Sequence, residues 1–364
     1  MRVADYVSKY LKRLGVNEVF MLTGYGAMYL NDAIKLSGIK YYATRNEATA
    51  PIMAESYARL KKKIGVACVT AGPGSTNAIP GLAEAYVDSA PIMIISGQVD
   101  YKHTTHSTNS KNIRTFGTAE INIVPIVKPI TKYAEVIKDP KNTRFILEKA
   151  FFLATNGRPG PVWIDIPLDI QKFEIDPKKL KGFKRPKRVN KTKKDNNIKK
   201  VIDLLKKSSR PLIIAGNGVH QSNTSLELKK LVLKTKIPLI FSRFAQDLFS
   251  HDDKYIFGQA GIKGSKHCKE IMSSCDLVLA LGCRFAPQFV GHDFSALKQA
   301  KVISVDIEKD ELLKKGQIIN YPINKDLSIF LPQLVKETKK LNLPNYEKWF
   351  NHCVKLKHKN KFFL

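Results

Sequence analysis

Short, unbroken apolar runs, each ending in glycine or a small polar residue, constrain this chain more than any other feature. Gly65-Val66-Ala67-Cys68-Val69-Thr70 leads straight into Ala71-Gly72-Pro73-Gly74-Ser75-Thr76-Asn77, and Pro91-Ile92-Met93-Ile94-Ile95-Ser96 closes on Gly97-Gln98. Glu18-Val19-Phe20-Met21-Leu22 ends in Thr23-Gly24-Tyr25-Gly26-Ala27, and Pro161-Val162-Trp163-Ile164-Asp165-Ile166 follows the same pattern. A strand with one wet face alternates apolar and polar residues, whereas a strand covered on both faces does not. Between the runs lie stretches of helical spacing, such as Met28, Leu30, Ile34 and Leu36. The expectation is α/β: a mainly parallel sheet with helices on both sides. Such sheets bind ligands beyond the carboxyl ends of their strands, where these glycine-rich loops fall.

Within that frame the stretch Ile39–Arg59 stands out. It starts as a short strand (Ile39, Tyr41, Ala43) and becomes a helix of small and apolar residues, with Glu47 at the junction between Asn46 and Ala48. Asn46 suits an N-cap, and an acid in the first turn is favoured by the free N–H groups and the helix dipole. On local pattern alone Glu47 is a helix-start acid. The loop Gly72–Asn77 has a similar plain reading, a tight strand-to-helix turn capped by Ser or Asn. It lacks the lysine of a P-loop and the spacing of a dinucleotide fingerprint. Its glycines would still let backbone approach a ligand closely.

At 364 residues the chain has room for two domains. Leu212-Ile213-Ile214-Ala215-Gly216-Asn217-Gly218, Leu277-Val278-Leu279-Ala280-Leu281-Gly282 and Val302-Ile303-Ser304-Val305-Asp306 repeat the strand-then-glycine pattern in the second half, as nucleotide-binding folds do. Helical spacing returns from Tyr346 to Lys357. The boundaries read as a first domain at 1–175, a basic linker at 176–194, a central domain at 195–340 and a helical tail at 341–364.

The net charge of +29 raises the question of nucleic acid. Lysine is spread along the whole chain with few aromatics interleaved, and the densest run, Lys178–Lys200 with twelve Lys or Arg, reads as a solvated linker. Neither a nucleic-acid partner nor a membrane partner is expected. No run approaches the roughly 18 apolar residues of a membrane span. The first residues (Val3, Tyr6, Val7, Tyr10, Leu11, Leu14) form an amphipathic helix, not a signal peptide. Five cysteines without a C-x-x-C pair fit a reduced, cytoplasmic protein, and neither they nor the eight scattered histidines suggest a metal site.

Taken in order, FMLTGYGAMYLNDAI, RNEATAPIMAESYAR, GVACVTAGPGSTNAIPGLAEAYVDSAPIMIISGQ, VKPITKYA and NGRPGPVWIDIPLDIQ are similar to the pyrimidine-binding domain of thiamine-diphosphate enzymes of the acetolactate synthase type. The likeness is greatest to members associated with sugar and surface-polysaccharide pathways. RPLIIAGNGV, CDLVLALGCRF and AKVISVDIEKDEL resemble the family's Rossmann-like central domain. The resemblance implies two three-layer α/β domains that decarboxylate and join small 2-keto acids. Glu47 is then the acid that hydrogen-bonds N1′ of the cofactor's aminopyrimidine and so promotes loss of the C2 proton. Gly24, Tyr25, Gly26, Ala27, Gly72, Pro73 and Asn77 would hold the cofactor, with Gly74, Ser75, Thr76, Gln98 and Glu120 on the substrate side. A homo-oligomer, at least a dimer, is implied, with room for a separate diphosphate-binding chain.

This sequence also departs from the family. Asn46 and Ala48 replace the usual His and Gln around the glutamate, Ala119 replaces the Gln of a Gln–Glu pair, and Tyr25 fills a common glycine position. The family's diphosphate domain binds Mg²⁺ through Gly-Asp-Gly and a later Asn, and no Gly-Asp-Gly occurs here. The expectation is therefore the first two of three domains, with thiamine diphosphate and Mg²⁺ as cofactors but no Mg²⁺ ligand in this chain. A structural central domain is favoured over one holding FAD, because Ala286-Pro287-Gln288 stands in place of the usual acidic pair. The rival reading is a non-catalytic protein that keeps the enzyme's dimerisation surfaces and not its chemistry.

Overall fold

The structure is a computed structural model that describes residues 1–108, 112–186, 196–250, 252–291, 295–316 and 319–359. It divides into two compact units, Met1–Val189 and Asn190–Leu364. Residues 187–194 of the basic linker predicted at 176–194 lie outside the described residues, as does the end of the chain from 360.

The first unit contains β1 (Glu18–Met21), β2 (Lys40–Ala43), β3 (Gly65–Val69), β4 (Ile92–Gln98), β5 (Tyr133–Val136) and β6 (Val162–Pro167). They form one sheet in the order β2-β1-β3-β4-β6-β5, every pairing parallel. The central strands β3, β4 and β6 are buried along their whole length, as unbroken apolar runs require. Successive residues go to opposite faces. Val66, Cys68, Met93, Ile95 and Ile164 join one core with the first helix, Val3–Arg13, while Ala67, Val69, Ile92, Ile94 and Trp163 join another with helices Thr49–Lys61 and Ile79–Asp88. Two cores on one sheet make three layers.

The second unit repeats the plan. β7 (Pro211–Ala215), β8 (Leu239–Phe241), β9 (Ile256–Gln259), β10 (Leu277–Leu281), β11 (Lys301–Asp306) and β12 (Tyr321–Asn324) pair in the order β12-β11-β10-β7-β8-β9, again parallel. The α/β expectation and its parallel sheets hold in both units. The stretch expected to be a tail is an integral part of this unit. Helix Glu347–Lys359 buries Trp349 and Cys353 in the core. Trp349 donates its indole N–H to the Pro211 carbonyl at 2.9 Å, and the Tyr346 hydroxyl donates to that of Leu205 at 2.6 Å.

In the first unit the chain leaves β1 toward β2 on one side and returns to β3 on the other. Such a reversal is where parallel sheets commonly place a ligand site, beyond the strands' carboxyl ends, here at the β1 and β3 loops.

Candidate functional site

Thr70, the residue after β3, ties the two glycine loops together. Its hydroxyl accepts the Gly26 N–H at 3.1 Å, and its carbonyl accepts the Ser75 hydroxyl at 2.5 Å. A Cβ at Gly24 would lie 2.5 Å from the Thr70 Cβ, and one at Gly74 would lie 2.5 Å from its methyl, so both glycines are needed for this fit. Gly72 has φ 62° and ψ −126°, a conformation open to glycine alone, and Pro73 starts the short helix Pro73–Asn77. Beside these loops Tyr25 stands 72% exposed at the start of the turn Tyr25–Ala27, with Gly26 and Ala27 buried beneath it.

Glu47 reaches the same place from β2. Thr44 donates its N–H to the Met21 carbonyl and its hydroxyl to that of Asn46, which folds the chain sharply after the strand. The helix begins at Thr49, later than its sequence pattern suggests. Asn46 does act as a local cap, since its side-chain oxygen accepts the Ala48 N–H at 2.8 Å. Glu47 lies ahead of the helix with no capping bond, so its carboxylate is available for another purpose. Half-buried, it accepts the Asn77 side-chain N–H at 2.7 Å through Oε2. Its Oε1 lies 3.2 Å from where a Cβ on Gly74 would stand. A side chain at residue 74 would crowd this oxygen.

The other expected residues divide. Asn77 reaches across to Glu47 and orients it, whereas the neighbouring hydroxyls turn back into their own loop. Ser75 is buried on the Thr70 carbonyl, and Thr76 donates to that of Pro73 at 3.0 Å. Gln98 and Glu120, expected on the substrate side, point into the protein. Gln98 is fully buried, donating to the Ile121 carbonyl at 3.0 Å and to Asp165 at 3.3 Å. Glu120 accepts the Thr105 N–H and hydroxyl at 3.1 and 2.9 Å and the Phe116 N–H at 3.3 Å. Gln98 is satisfied by partners 23 and 67 residues away, and Glu120 by partners 15 and 4 residues away. Ala119, where the family carries Gln, sits at φ 55° with its carbonyl oxygen against Gly72.

Thr70 and Asp165 carry structural weight that the sequence reading missed. The only signal for Thr70 was its place between an apolar strand and a glycine loop, and for Asp165 an acid inside an otherwise apolar strand. Among the described residues, no group of three or more His, Cys, Asp or Glu is placed to hold a metal ion, and no helix is long and apolar enough to cross a membrane. What this end of the sheet offers is a carboxylate fixed by an amide donor, beside two glycine loops packed closely on Thr70. That set suits a planar heterocycle with a ring nitrogen able to share a proton with the acid.

Residues 1–118 match the thiamine pyrophosphate enzyme N-terminal TPP binding domain, and residues 198–334 match the thiamine pyrophosphate enzyme central domain. Over 365 residues the chain is 34% identical to the probable acetolactate synthase large subunit of Methanocaldococcus jannaschii, covering 98% of this chain and 59% of the relative. It is 34% identical to the acetolactate synthase large subunit of Buchnera aphidicola subsp. Acyrthosiphon pisum, covering 98% and 62%, and 32% identical to that of Lactococcus lactis subsp. lactis, covering 98% and 60%. The chain therefore spans less than two-thirds of the length of each of these relatives. It belongs to the thiamine pyrophosphate enzymes, of which it carries the N-terminal and central domains.

Proposed function

We propose that this chain supplies the pyrimidine side of an acetolactate synthase-like enzyme that decarboxylates a small 2-keto acid and joins the product to a second carbonyl. The observation that carries the reading is the Glu47 carboxylate, set by Asn77 between two glycine loops at the switch point of a parallel sheet. Thiamine diphosphate, when bound, supplies the carbanion chemistry at its thiazolium ring. The residues of this chain would bind and polarise its other ring. Glu47 would hold a proton at the pyrimidine N1′, Asn77 would fix the carboxylate, and Gly24–Ala27 with Gly72–Gly74 would let backbone lie against the ring. Half-burial of the acid limits competition from water for that proton.

The relatives' designation as large subunits supports assembly with a smaller partner chain, and a homodimer, at least, is carried over from the family likeness. Mg²⁺ and the diphosphate would be held by a diphosphate-binding domain, in the same polypeptide or another. For the second unit a structural role is the first reading and FAD the second. A reduced cytoplasmic setting fits five cysteines that are all free and buried.

The test is proton exchange at C2 of the cofactor, followed by NMR in D₂O, in an assembly of this chain with a diphosphate-binding domain. Glu47→Gln keeps the side chain's shape and its bond to Asn77 through the amide oxygen, and should slow exchange by orders of magnitude. Equal rates in wild type and variant would return Glu47 to a structural role and favour the non-catalytic reading.

A further inference from the structure

A polar chain runs through the first unit between β6 and the glycine loops. Asp165 is 1% exposed and lies directly across from Ser96 in the β4–β6 register. Its Oδ1 accepts the Ser96 hydroxyl at 2.5 Å, and Ser96 in turn accepts the Trp163 indole N–H at 2.8 Å. Its Oδ2 accepts one N–H of the Gln98 amide at 3.3 Å, and the other N–H of that amide goes to the Ile121 carbonyl at 3.0 Å. The Gln98 oxygen is occupied by the Val99 N–H at 3.0 Å, so the amide cannot rotate without losing several bonds. Ile121 follows Ala119 and Glu120, and a Cβ on Gly72 would lie 1.7 Å from the Ala119 carbonyl oxygen. The chain therefore ends on the loop whose other end meets Glu47.

We propose that Asp165 is a positioning residue that, through Gln98, holds the segment Ala119–Ile121 against the Gly72 loop. The bond from Gln98 is charge-assisted when Asp165 is ionised and ordinary when it is neutral, so the hold follows the carboxyl's proton. Burial above all pushes this carboxyl up to about 7; the Ser96 and Gln98 bonds pull it down and the Glu120 charge pushes it further up. Beyond Glu120 lies His106, whose two ring nitrogens are buried without a hydrogen-bond partner among the described residues. Burial lowers the His106 pKa, Glu120 raises it and Lys138 lowers it. His106 is a further titratable group near this segment, as is His103, whose ring meets that of Phe116, and Asp165→Asn separates their effects from that of Asp165.

The experiment uses the chain by itself, so it reads the coupling whether or not the site takes the cofactor proposed above; only the loop's catalytic meaning rests on that reading. Amide hydrogen exchange of 119–121, corrected for intrinsic rates, should be about five-fold slower above the Asp165 midpoint than below it, the scale separating charge-assisted from neutral bonds. The Trp163 indole N–H signal in NMR should shift with the same midpoint. Asp165→Asn should abolish both pH dependences while leaving the Trp349 signal in place. Gln98→Met should uncouple the segment, removing the pH dependence of 119–121 while Trp163 still titrates. Wild-type exchange at 119–121 that is flat from pH 5 to pH 9, or a pH dependence that survives in Asp165→Asn, would overturn the proposal.

Discussion

Gly72→Ala is the substitution whose cost the structure defines most sharply. The backbone there, φ 62° and ψ −126°, is one that a residue with a Cβ rarely adopts, and holding alanine in it costs about 1–3 kcal/mol. The new methyl would also stand 1.7 Å from the Ala119 oxygen and 2.9 Å from its carbonyl carbon, so the segment must move away. Forced overpacking of this kind adds about 1–3 kcal/mol, for a total near 4 kcal/mol. Gly15→Ala is the control, because Gly15 has φ 77° with nothing within 4 Å of the added carbon. Only the backbone term applies there, about 1 kcal/mol. Urea unfolding followed through Trp163 reports the first unit, and Trp349 in the second unit should not change its midpoint. In heat, Gly72→Ala should lower the first unit's midpoint by about 10 °C, given about 2–4 °C per kcal/mol at this size. Equal costs for the two variants would show that the Ala119 segment does not press on the glycine loop, and the contact on which the site's shape depends would be lost.

Asn77→Asp should put a second carboxylate beside Glu47 in place of an amide donor, costing about 1–2 kcal/mol at pH 8 for this half-buried pair. Like charges raise the folded-state pKa values above the unfolded ones, so the penalty should vanish as pH falls toward 4, as urea midpoints at the two pH values would show. Asp165 titrates up near 7 in the folded chain, so the native state binds a proton that the unfolded state has released. Wild-type stability should therefore fall as pH rises from about 4 to about 7, by up to about 1.4 kcal/mol per unit from this group, and Asp165→Asn should flatten that slope. Tyr346→Phe removes a buried hydroxyl's bond to the Leu205 carbonyl and should cost the second unit about 1–2 kcal/mol, read through Trp349. Burial pushes the Cys68, Cys268, Cys275 and Cys283 thiols up to about 12, and Cys353 is raised too, so a thiol reagent should react with none of the five in the native chain and with all five in guanidinium.

The strands most legible in the sequence are those buried on both faces. β3, β4, β6, β7, β10 and β11 have runs of apolar residues that only a covered parallel sheet explains. The pattern fails at two edge strands and at one very short inner strand. β5 is Tyr-Ala-Glu-Val with three half-buried positions, β8 is only Leu-Ile-Phe, and β12 alternates around Pro322, so none carries enough local signal. The helix after β2 starts at Thr49 because the Thr44 and Asn46 bonds fold the preceding residues into a turn, which apolar spacing does not encode. Glu47, Asn77 and the glycine loops are placed by short local connections at strand ends, and their convergence could be read. The orientations of Ser75, Gln98 and Glu120 depend on which carbonyls and N–H groups the tertiary fold leaves to be satisfied. Gln98 meets partners 23 and 67 residues away, a relation visible in no local window.

The first unit is fastened at its start by its own far end. The Met1 amino group and the Val3 N–H donate to the Ile175 and Phe173 carbonyls, Ile175 donates back to Met1, and Arg2 bridges Glu174 in antiparallel fashion. The helix that follows rests its apolar face on a core that includes Ile146, Leu147, Ile164, Ile166 and Ile170. During synthesis none of those partners exists when this helix leaves the ribosome. At about 5–20 residues per second it must wait on the order of ten to thirty seconds, with an apolar stripe open to chaperones or to neighbouring chains. Residues translated ahead of the rest of this unit are thus among the last in it to reach their place.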